Sequence, residues 1–323
     1  MLVRFNKLPD PFMIVVDEAS RPIGTLTDGD VRRGLLSGLS VEAPAEQFMN
    51  ATPLIVRQAD IETFNLPRNR QITFVPIVDE SGRLIEIWLP RRSHHIEVDA
   101  MVMAGGFGRR MGERTRSIPK PLLKVGGRPL IEHTLSWLEA APVKHIYVSV
   151  HYLAEQVEAY IGQRALSAEY SFVREEHPLG TAGALGLVSK DLVRPIIVVN
   201  ADVLTRLDIS ALIDFHTTHG NDCTLVVAPY KIDIPFGVIE QDDAGNFAGI
   251  AEKPSYSHFI SSGIYLLTPE FARLIQAGAA IDMPQLLMLG RKAGMRIGLF
   301  PAHEYWRDVG RESDYQEAQA DHD

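Results

Sequence analysis

The run Ala104-Gly105-Gly106-Phe107-Gly108-Arg109-Arg110, with Pro119-Lys120-Pro121-Leu122-Leu123 shortly after it, holds the residue types that bind phosphate. Glycines let backbone N–H groups converge on anionic oxygens without a Cβ in the way, and Arg110 and Lys120 add fixed positive charge. The apolar run Ala100-Met101-Val102-Met103 ahead of the loop makes it a turn that leaves a strand end. Such a turn suits the phosphates of a nucleoside triphosphate. It is not the P-loop form, because no Gly-Lys-Ser/Thr follows. It also misses the dinucleotide fingerprint, since Gly112 falls one residue beyond the third glycine position. Two carboxylates stand out further along. Asp202 closes the almost wholly apolar run 195–200, where a carboxylate either caps a helix or binds a metal, and Asp308 lies in Trp306-Arg307-Asp308-Val309-Gly310.

The whole string, Gly-Gly-x-Gly-x-Arg and then Pro-Lys-Pro-Leu-Leu-x-Val-x-Gly-x-Pro-Leu through Leu130, resembles the signature of the sugar nucleotidyltransferases, the nucleoside-diphosphate-sugar pyrophosphorylases. Further segments follow in that family's order, so the likeness covers residues 98–310. The stretch from Glu175 through Gly180 and Thr181 to Gly183 resembles the base-recognition loop. Its glycines let a base edge approach the backbone, and Thr181 can open the following helix. Val199-Asn200-Ala201-Asp202 puts Asp202 where the family holds Mg²⁺, and Asp308 stands where it draws the second carboxylate. Ala251-Glu252-Lys253-Pro254 is similar to a run in which Glu meets sugar hydroxyls and Lys the sugar phosphate. Ser261-Ser262-Gly263-Ile264-Tyr265 occupies the place where relatives often carry Asn-x-Gly-Ile-Tyr, so Ser261 shortens the polar reach toward a hexose.

The resemblance implies Mg²⁺-dependent nucleotidyl transfer from a nucleoside triphosphate to a sugar 1-phosphate, with those two substrates as the partners. Ala104, Gly105, Gly106, Gly108, Glu175, Gly180 and Thr181 would bind the nucleotide. Arg110 and Lys120 would serve the reacting phosphates, and Glu252, Lys253, Ser261 and Gly263 the sugar phosphate. Asp202 and Asp308 would serve the metal, a hard ion that takes oxygen ligands and keeps several waters. Glu175 stands where uracil- and thymine-binding members often carry glutamine. A carboxylate accepts hydrogen bonds and donates none, which suits the N1–H and N2–H₂ edge of guanine. GTP is therefore the expected donor and UTP the alternative, with glucosamine, mannose and heptose 1-phosphates open as acceptors. A cytidylyltransferase acting on a non-sugar phosphate would share the loop and the carboxylates. An inactive adenylate-sensing protein is the reading from another class, and against it Arg110, Lys120, Asp202, Lys253 and Asp308 all stand.

These side chains need strand ends to hold them. After residue 98 apolar β-runs alternate with amphipathic helices: strands over 99–104, 145–150, 195–200 and 223–229, and helices over 129–140, 153–161 and 209–219. Alternation of this kind gives an α/β, mostly parallel, Rossmann-like nucleotidyltransferase sheet with ligands at the C-terminal strand ends. Hairpin strands over 237–241 and 247–252, around Asp242-Asp243-Ala244-Gly245, add a small antiparallel piece expected to cover one side of the site.

Residues 1–97 contain an echo. Val15-Val16-Asp17-Glu18-Ala19-Ser20-Arg21-Pro22-Ile23 and Ile77-Val78-Asp79-Glu80-Ser81-Gly82-Arg83-Leu84-Ile85 align at an offset of 62 residues, each a strand, an Asp-led turn and a second strand. The continuation of the first copy, Gly24 to Arg33, resembles the end of a CBS (cystathionine-β-synthase) motif, in which Thr27 and Asp30 would meet an adenylate. Helix capping by the same two residues is the competing reading. The second copy has no carboxylate at the matching place, and the first opens almost at the start of the chain, so the module reads as a truncated CBS pair. It is expected to serve dimerisation or regulation and to leave the chemical step to residues 98–323. A linker is expected over 90–95, where His94 and His95 lack a third metal ligand at useful spacing.

The 323 residues, 46% of them hydrophobic, suffice for two cores, and the net charge of −9 leaves no field for a nucleic-acid backbone. The single cysteine, Cys223, lies in an apolar strand and reads as buried. No stretch of eighteen apolar residues and no signal-peptide core is present, which leads to the expectation of a cytoplasmic protein without a membrane partner.

Overall fold

The computed structural model describes residues 12–61, 64, 74–89, 96–164 and 167–321; the expected linker over 90–95 lies outside them. A seven-stranded sheet forms the centre of the molecule. Its first strand is β6 (Val98–Met103), counting after five short N-terminal strands described below. The others are β7 (Val143–Val150), β8 (Glu169–Arg174), β9 (Ile196–Asn200), β11 (Cys223–Asp233), β14 (Ser255–Leu267) and β15 (Ile297–Pro301). They lie in the order β8-β7-β6-β9-β14-β11-β15. Among the described residues β14 alone runs against the rest. Sequence reading missed it as a sheet strand, since glycine and serines interrupt its apolar run.

Alternation of side chains builds two cores. Ala100, Val102, Ile197 and Val199 face one layer, with Ile131, Leu135 and Leu138 of α2 (Leu130–Glu139), Val157 and Ile161 of α3 (Ala154–Gly162) and Leu212 of α4 (Ile209–Thr218). Met101, Ile196 and Val198 face the other, with Phe271 and Ile275 from the segment after β14 and Leu286 of α5 (Met283–Lys292). Central strands buried on both faces read as continuous apolar runs, which is why β6 and β9 were legible. Chain order leads from β6 outward to β7 and β8, then back across to β9. The sheet therefore reverses direction between β6 and β9, and such a reversal opens a crevice beyond the carboxyl ends of the strands. Ala104, Glu175 and Asp202 all emerge there.

The hairpin β12 (Val238–Gln241) and β13 (Phe247–Ala251) forms as expected, as a separate two-stranded sheet. It follows the outward extension of β11, which pairs with β14 as far as Asp233 with Ser255. Phe236, Ile239, Phe247 and Ile250 are exposed on this arm. It is carried outward on the strand extension and contributes no residue to the crevice wall, contrary to the expected cover.

Ahead of β6 the sequence echo is a structural one. β1 (Phe12–Val16) pairs with β2 (Pro22–Thr27), and β4 (Val75–Val78) with β5 (Leu84–Trp88), each with a register shift in its first strand. Asp17 Oδ1 accepts from the amides of Ala19 and Arg21, and Asp79 Oδ1 from those of Ser81 and Arg83. Ser20 and Gly82, matching positions, both take positive φ, 61° and 83°. The Leu84 amide donates to the Ser20 carbonyl, so the hairpins are stitched together. β3 (Val56–Arg57) runs parallel to β4. Helix α1 (Asp28–Leu36) packs Val31 and Leu35 with Leu26 and Phe48 in a small core of its own. No helix among the described residues is long and apolar enough to cross a membrane.

Candidate nucleotide and metal site

The crevice holds a cavity of about 390 Å³ walled by 103–110, Lys120, Pro121, Ser149, Glu175, Pro178, Gly180, Thr181, 200–202 and Gly310. Its glycine loop starts where the Ala104 amide donates to the Ser149 carbonyl. Gly108, at φ 65°, turns the chain, and Thr115 Oγ1 closes the turn by donating to the Gly108 carbonyl at 2.9 Å. A Cβ on Gly105 would come within 2.8 Å of a Glu175 carboxylate oxygen, whereas one on Gly106 would meet nothing within 4 Å. Gly105 thus allows close packing of the wall and Gly106 leaves open space. Arg109 and Arg110 both line the cavity, Arg109 also lying 4.9 Å over the Phe107 ring.

Lys120 and Asp202 meet on the floor, and Asp308 stands next to them, outside the cavity wall itself. Lys120 is 9% exposed and its Nζ donates to Asp202 Oδ2. Strand β10 (Val203–Thr205) pairs antiparallel with β16 (Trp306–Asp308), Val203 opposite Asp308, and the Val309 amide donates to the Asp202 carbonyl at 3.0 Å. Burial, and then the negative charge of Asp202, push the Asp308 carboxyl up to about 6, against the pull of Lys120 and Arg110. One lysine does not neutralise two close carboxylates in a half-buried place. The donor set, the Asp202 carboxylate in the cavity wall with the Asp308 carboxylate near enough to feel its charge, fits a divalent oxygen-seeking cation.

Glu175 forms part of the wall and is nearly buried. Its Oε1 accepts from Ser149 Oγ at 3.0 Å and its Oε2 from the Leu179 amide at 2.9 Å, which fixes the carboxylate; Glu176 is exposed. Gly180 takes φ 79°, and a Cβ there would stand 2.7 Å from the Ile281 carbonyl oxygen, so the position suits glycine on both counts. Thr181 does more than open its own short turn. Its hydroxyl accepts from the Met283 amide at 2.8 Å and its amide donates to Asp282 Oδ1, which ties the Glu175–Gly183 loop to the start of α5. Gly263, at φ 75°, backs onto Asn200, whose side-chain nitrogen would be 2.7 Å from a Cβ. Ser261 points at the Tyr265 hydroxyl, 2.7 Å away. Glu252 and Lys253, both exposed at the foot of the arm, are not part of the cavity wall, and Lys253 takes a left-handed φ of 46°.

Thr27 and Asp30 cap α1. The Asp30 amide donates to Thr27 Oγ1, the Thr27 amide donates to Asp30 Oδ2, and Arg33 closes on the other Asp30 oxygen. Residues without a role in the sequence reading also appear. Asn200 and Ser149 line the cavity, each a polar residue inside an apolar strand, and that interruption was the available signal. Arg32 is 1% exposed and binds Asp28 and Glu304. Its i,i+4 spacing from Asp28 was visible, but Glu304 lies too far along the chain to suggest itself.

The sequence model of the family described as Nucleotidyl transferase matches residues 99–323. A mannose-1-phosphate guanyltransferase of Pichia angusta is 34% identical over 67% of this chain and 61% of its own length. The mannose-1-phosphate guanylyltransferase of Mycobacterium tuberculosis (strain ATCC 25618 / H37Rv) is 32% identical over 70% and 64%. The chain therefore spans less than two thirds of the length of these curated relatives. The crystal structure of HddC from Yersinia pseudotuberculosis superposes with a TM-score of 0.55 at 25% identity, covering 70% of this chain and 100% of that one. Matched from the strand that opens the central sheet to the last helix, the chain belongs to the nucleotidyl transferase family.

Proposed function

We propose that the protein transfers a guanylyl group from GTP to the phosphate of a sugar 1-phosphate. An oxygen of the sugar phosphate forms a bond to the α-phosphorus as the bond from that phosphorus to the bridging oxygen breaks, and pyrophosphate leaves. The nucleophile is already an anion, so no side chain need remove a proton, and positioning with charge neutralisation does the work. The observation that carries this reading is the Lys120–Asp202 ion pair in the same cavity wall as the glycine loop, with Asp308 close enough to couple to both. Arg110 is assigned to the leaving pyrophosphate and Lys120 to the oxygens of the reacting phosphate. Asp202 and Asp308 would hold Mg²⁺, which when bound supplies charge neutralisation at the α-phosphate. Lys253 is assigned to the sugar phosphate, reached from the foot of the arm.

Glu175 supports guanine, because a carboxylate fixed from two sides keeps free lone pairs for two donors. The guanylyltransferase names of the relatives favour the same base and favour mannose 1-phosphate as acceptor. The matched hairpins support a module of two related halves ahead of the central sheet; its reading as a truncated CBS pair over residues 1–97 rests on the sequence resemblance alone. An adenylate there is not part of the proposal, since Thr27 and Asp30 are engaged with each other. Pyrophosphate release with each of the four NTPs, against a panel of sugar 1-phosphates, tests the assignment. GTP with mannose 1-phosphate is the expected pair. Faster release with UTP would overturn the base, and no release above a Lys120→Ala control would overturn the activity.

A further inference from the structure

From the N-terminal module the buried cation Arg32 reaches the segment that follows β15. Arg32 of α1 lies with its guanidinium carbon 3.6 Å from the centroid of the Phe300 ring on β15. Its Nη1 donates to the Pro301 carbonyl, its Nη2 to Glu304 Oε1 at 2.7 Å, and its Nε to Asp28 Oδ2 at 2.7 Å. His303, buried beside it, meets Asp28 at 2.8 Å through Nε2, and the His303 amide donates to Glu304 Oε2 at 3.0 Å. Every backbone residue from Phe300 to Glu304 except Ala302 thus touches Arg32 or its partners. The next residues are Tyr305, whose carbonyl accepts from the Arg206 amide and Thr205 Oγ1, and then β16 with Asp308.

We propose that Arg32 is a positioning residue for the transfer reaction: it holds segment 301–304 in the one path that delivers β16, and with it the Asp308 carboxylate, against Asp202. The proposal rests on the functional reading above for what Asp308 does, but not for where Arg32 holds the chain. A buried ion pair is a poor source of net stability, and replacement by apolar residues is often neutral. A buried guanidinium with its donors directed at one carbonyl and two carboxylates instead defines a geometry, because leaving any of those acceptors unpaired costs more than the pair returns. Asp28, His303 and Glu304 also lie close enough to share a cation, and Arg32 already supplies that positive charge among them. The module expected to stand apart from the chemistry therefore touches the chain four residues before Asp308.

The test uses the full chain and three variants: Arg32→Met, Arg32→Lys and, as a control for loss of module packing alone, Leu35→Ala, which opens the small core of α1 without touching 301–304. Hydrogen–deuterium exchange is followed in the peptide covering 301–310, and Mn²⁺ affinity is measured by electron paramagnetic resonance. Arg32→Met should speed exchange in that peptide and weaken Mn²⁺ by about tenfold, the scale on which residues behind a metal ligand act. Arg32→Lys should restore part of both, and Leu35→Ala should move neither. Unchanged exchange in Arg32→Met would overturn the proposal, as would the same change in Leu35→Ala. If the wild type shows no Mn²⁺ site that Asp308→Asn removes, the metal assignment fails, and the exchange result alone decides the role of Arg32.

Discussion

Lys120 and Asp202, 82 positions apart, are joined by an ion pair on the floor of the cleft, with the lysine almost wholly buried. Both residues line the cavity, so on the proposed function the lysine serves a reacting phosphate and the carboxylate the same space. Lys120→Ala should therefore lower turnover by at least about a hundredfold, the scale of lost electrostatic stabilisation. Steady-state pyrophosphate release measures it. Turnover within tenfold of wild type would show that the lysine serves the fold and not the reaction.

Asp202 and Asp308 should act as one unit. Asp202→Asn and Asp308→Asn are each expected to cut turnover by about a hundredfold or more, and the double variant should be scarcely worse than either. Single and double variants compared at saturating substrate check this. Defects that multiply would mean the two carboxylates work separately.

The Asp308 carboxyl also sets a pH dependence of stability in metal-free protein. Its ordinary value is 3.8, and burial with Asp202 raises it to about 6 in the fold. A group whose folded value is raised stabilises the fold fully below its unfolded value, and that contribution is lost as pH rises through the folded one. Asp308→Asn cannot ionise, so above pH ~6 it should melt higher than wild type in the presence of a chelator, and the two should converge at acid pH. Thermal melts across that window decide it, and a variant no more stable than wild type near neutrality counts against the repulsion.

Two glycines of the wall should separate fold from binding. Gly180→Ala forces a Cβ to within 2.7 Å of a backbone carbonyl at positive φ. It should destabilise by about 1–3 kcal/mol in urea unfolding. Gly106→Ala meets nothing within 4 Å and should melt like wild type, yet raise the KM for the nucleotide, because its methyl enters the space assigned to phosphate. An unchanged KM would move the triphosphate elsewhere.

Glu175→Gln should reduce the preference for GTP over UTP by about tenfold or more, since an amide offers guanine one acceptor and one misplaced donor. Competition between the two nucleotides at equal concentration reads this directly. An unaltered ratio would hand base selection to another residue.

Much of the site was legible because its residues sit where local rules are strict. Gly105 and Gly108 mark a strand-to-loop turn, and Asp202 ends a run of side chains buried on both faces of the sheet, so both sequence and strand end announce them. The repeat at Asp17 and Asp79 was legible for the same reason, each aspartate folding its own turn. What escaped depended on contacts without a sequence rule. β14 hides behind its serines and Gly263, and the arm of β12 and β13 reads as a hairpin while its direction is set by the extension of β11. The partnership of Arg32 with Glu304 spans 272 positions and is fixed only when α1 packs on β15.

The most direct test of the central claim is the rate at which a GDP-sugar forms from GTP and mannose 1-phosphate with Mg²⁺, followed by mass spectrometry of the product. A GDP-hexose and one pyrophosphate per turnover are expected, both lost in Lys120→Ala. Pyrophosphate without a nucleotide sugar, or a product that forms equally well without Lys120, would contradict it.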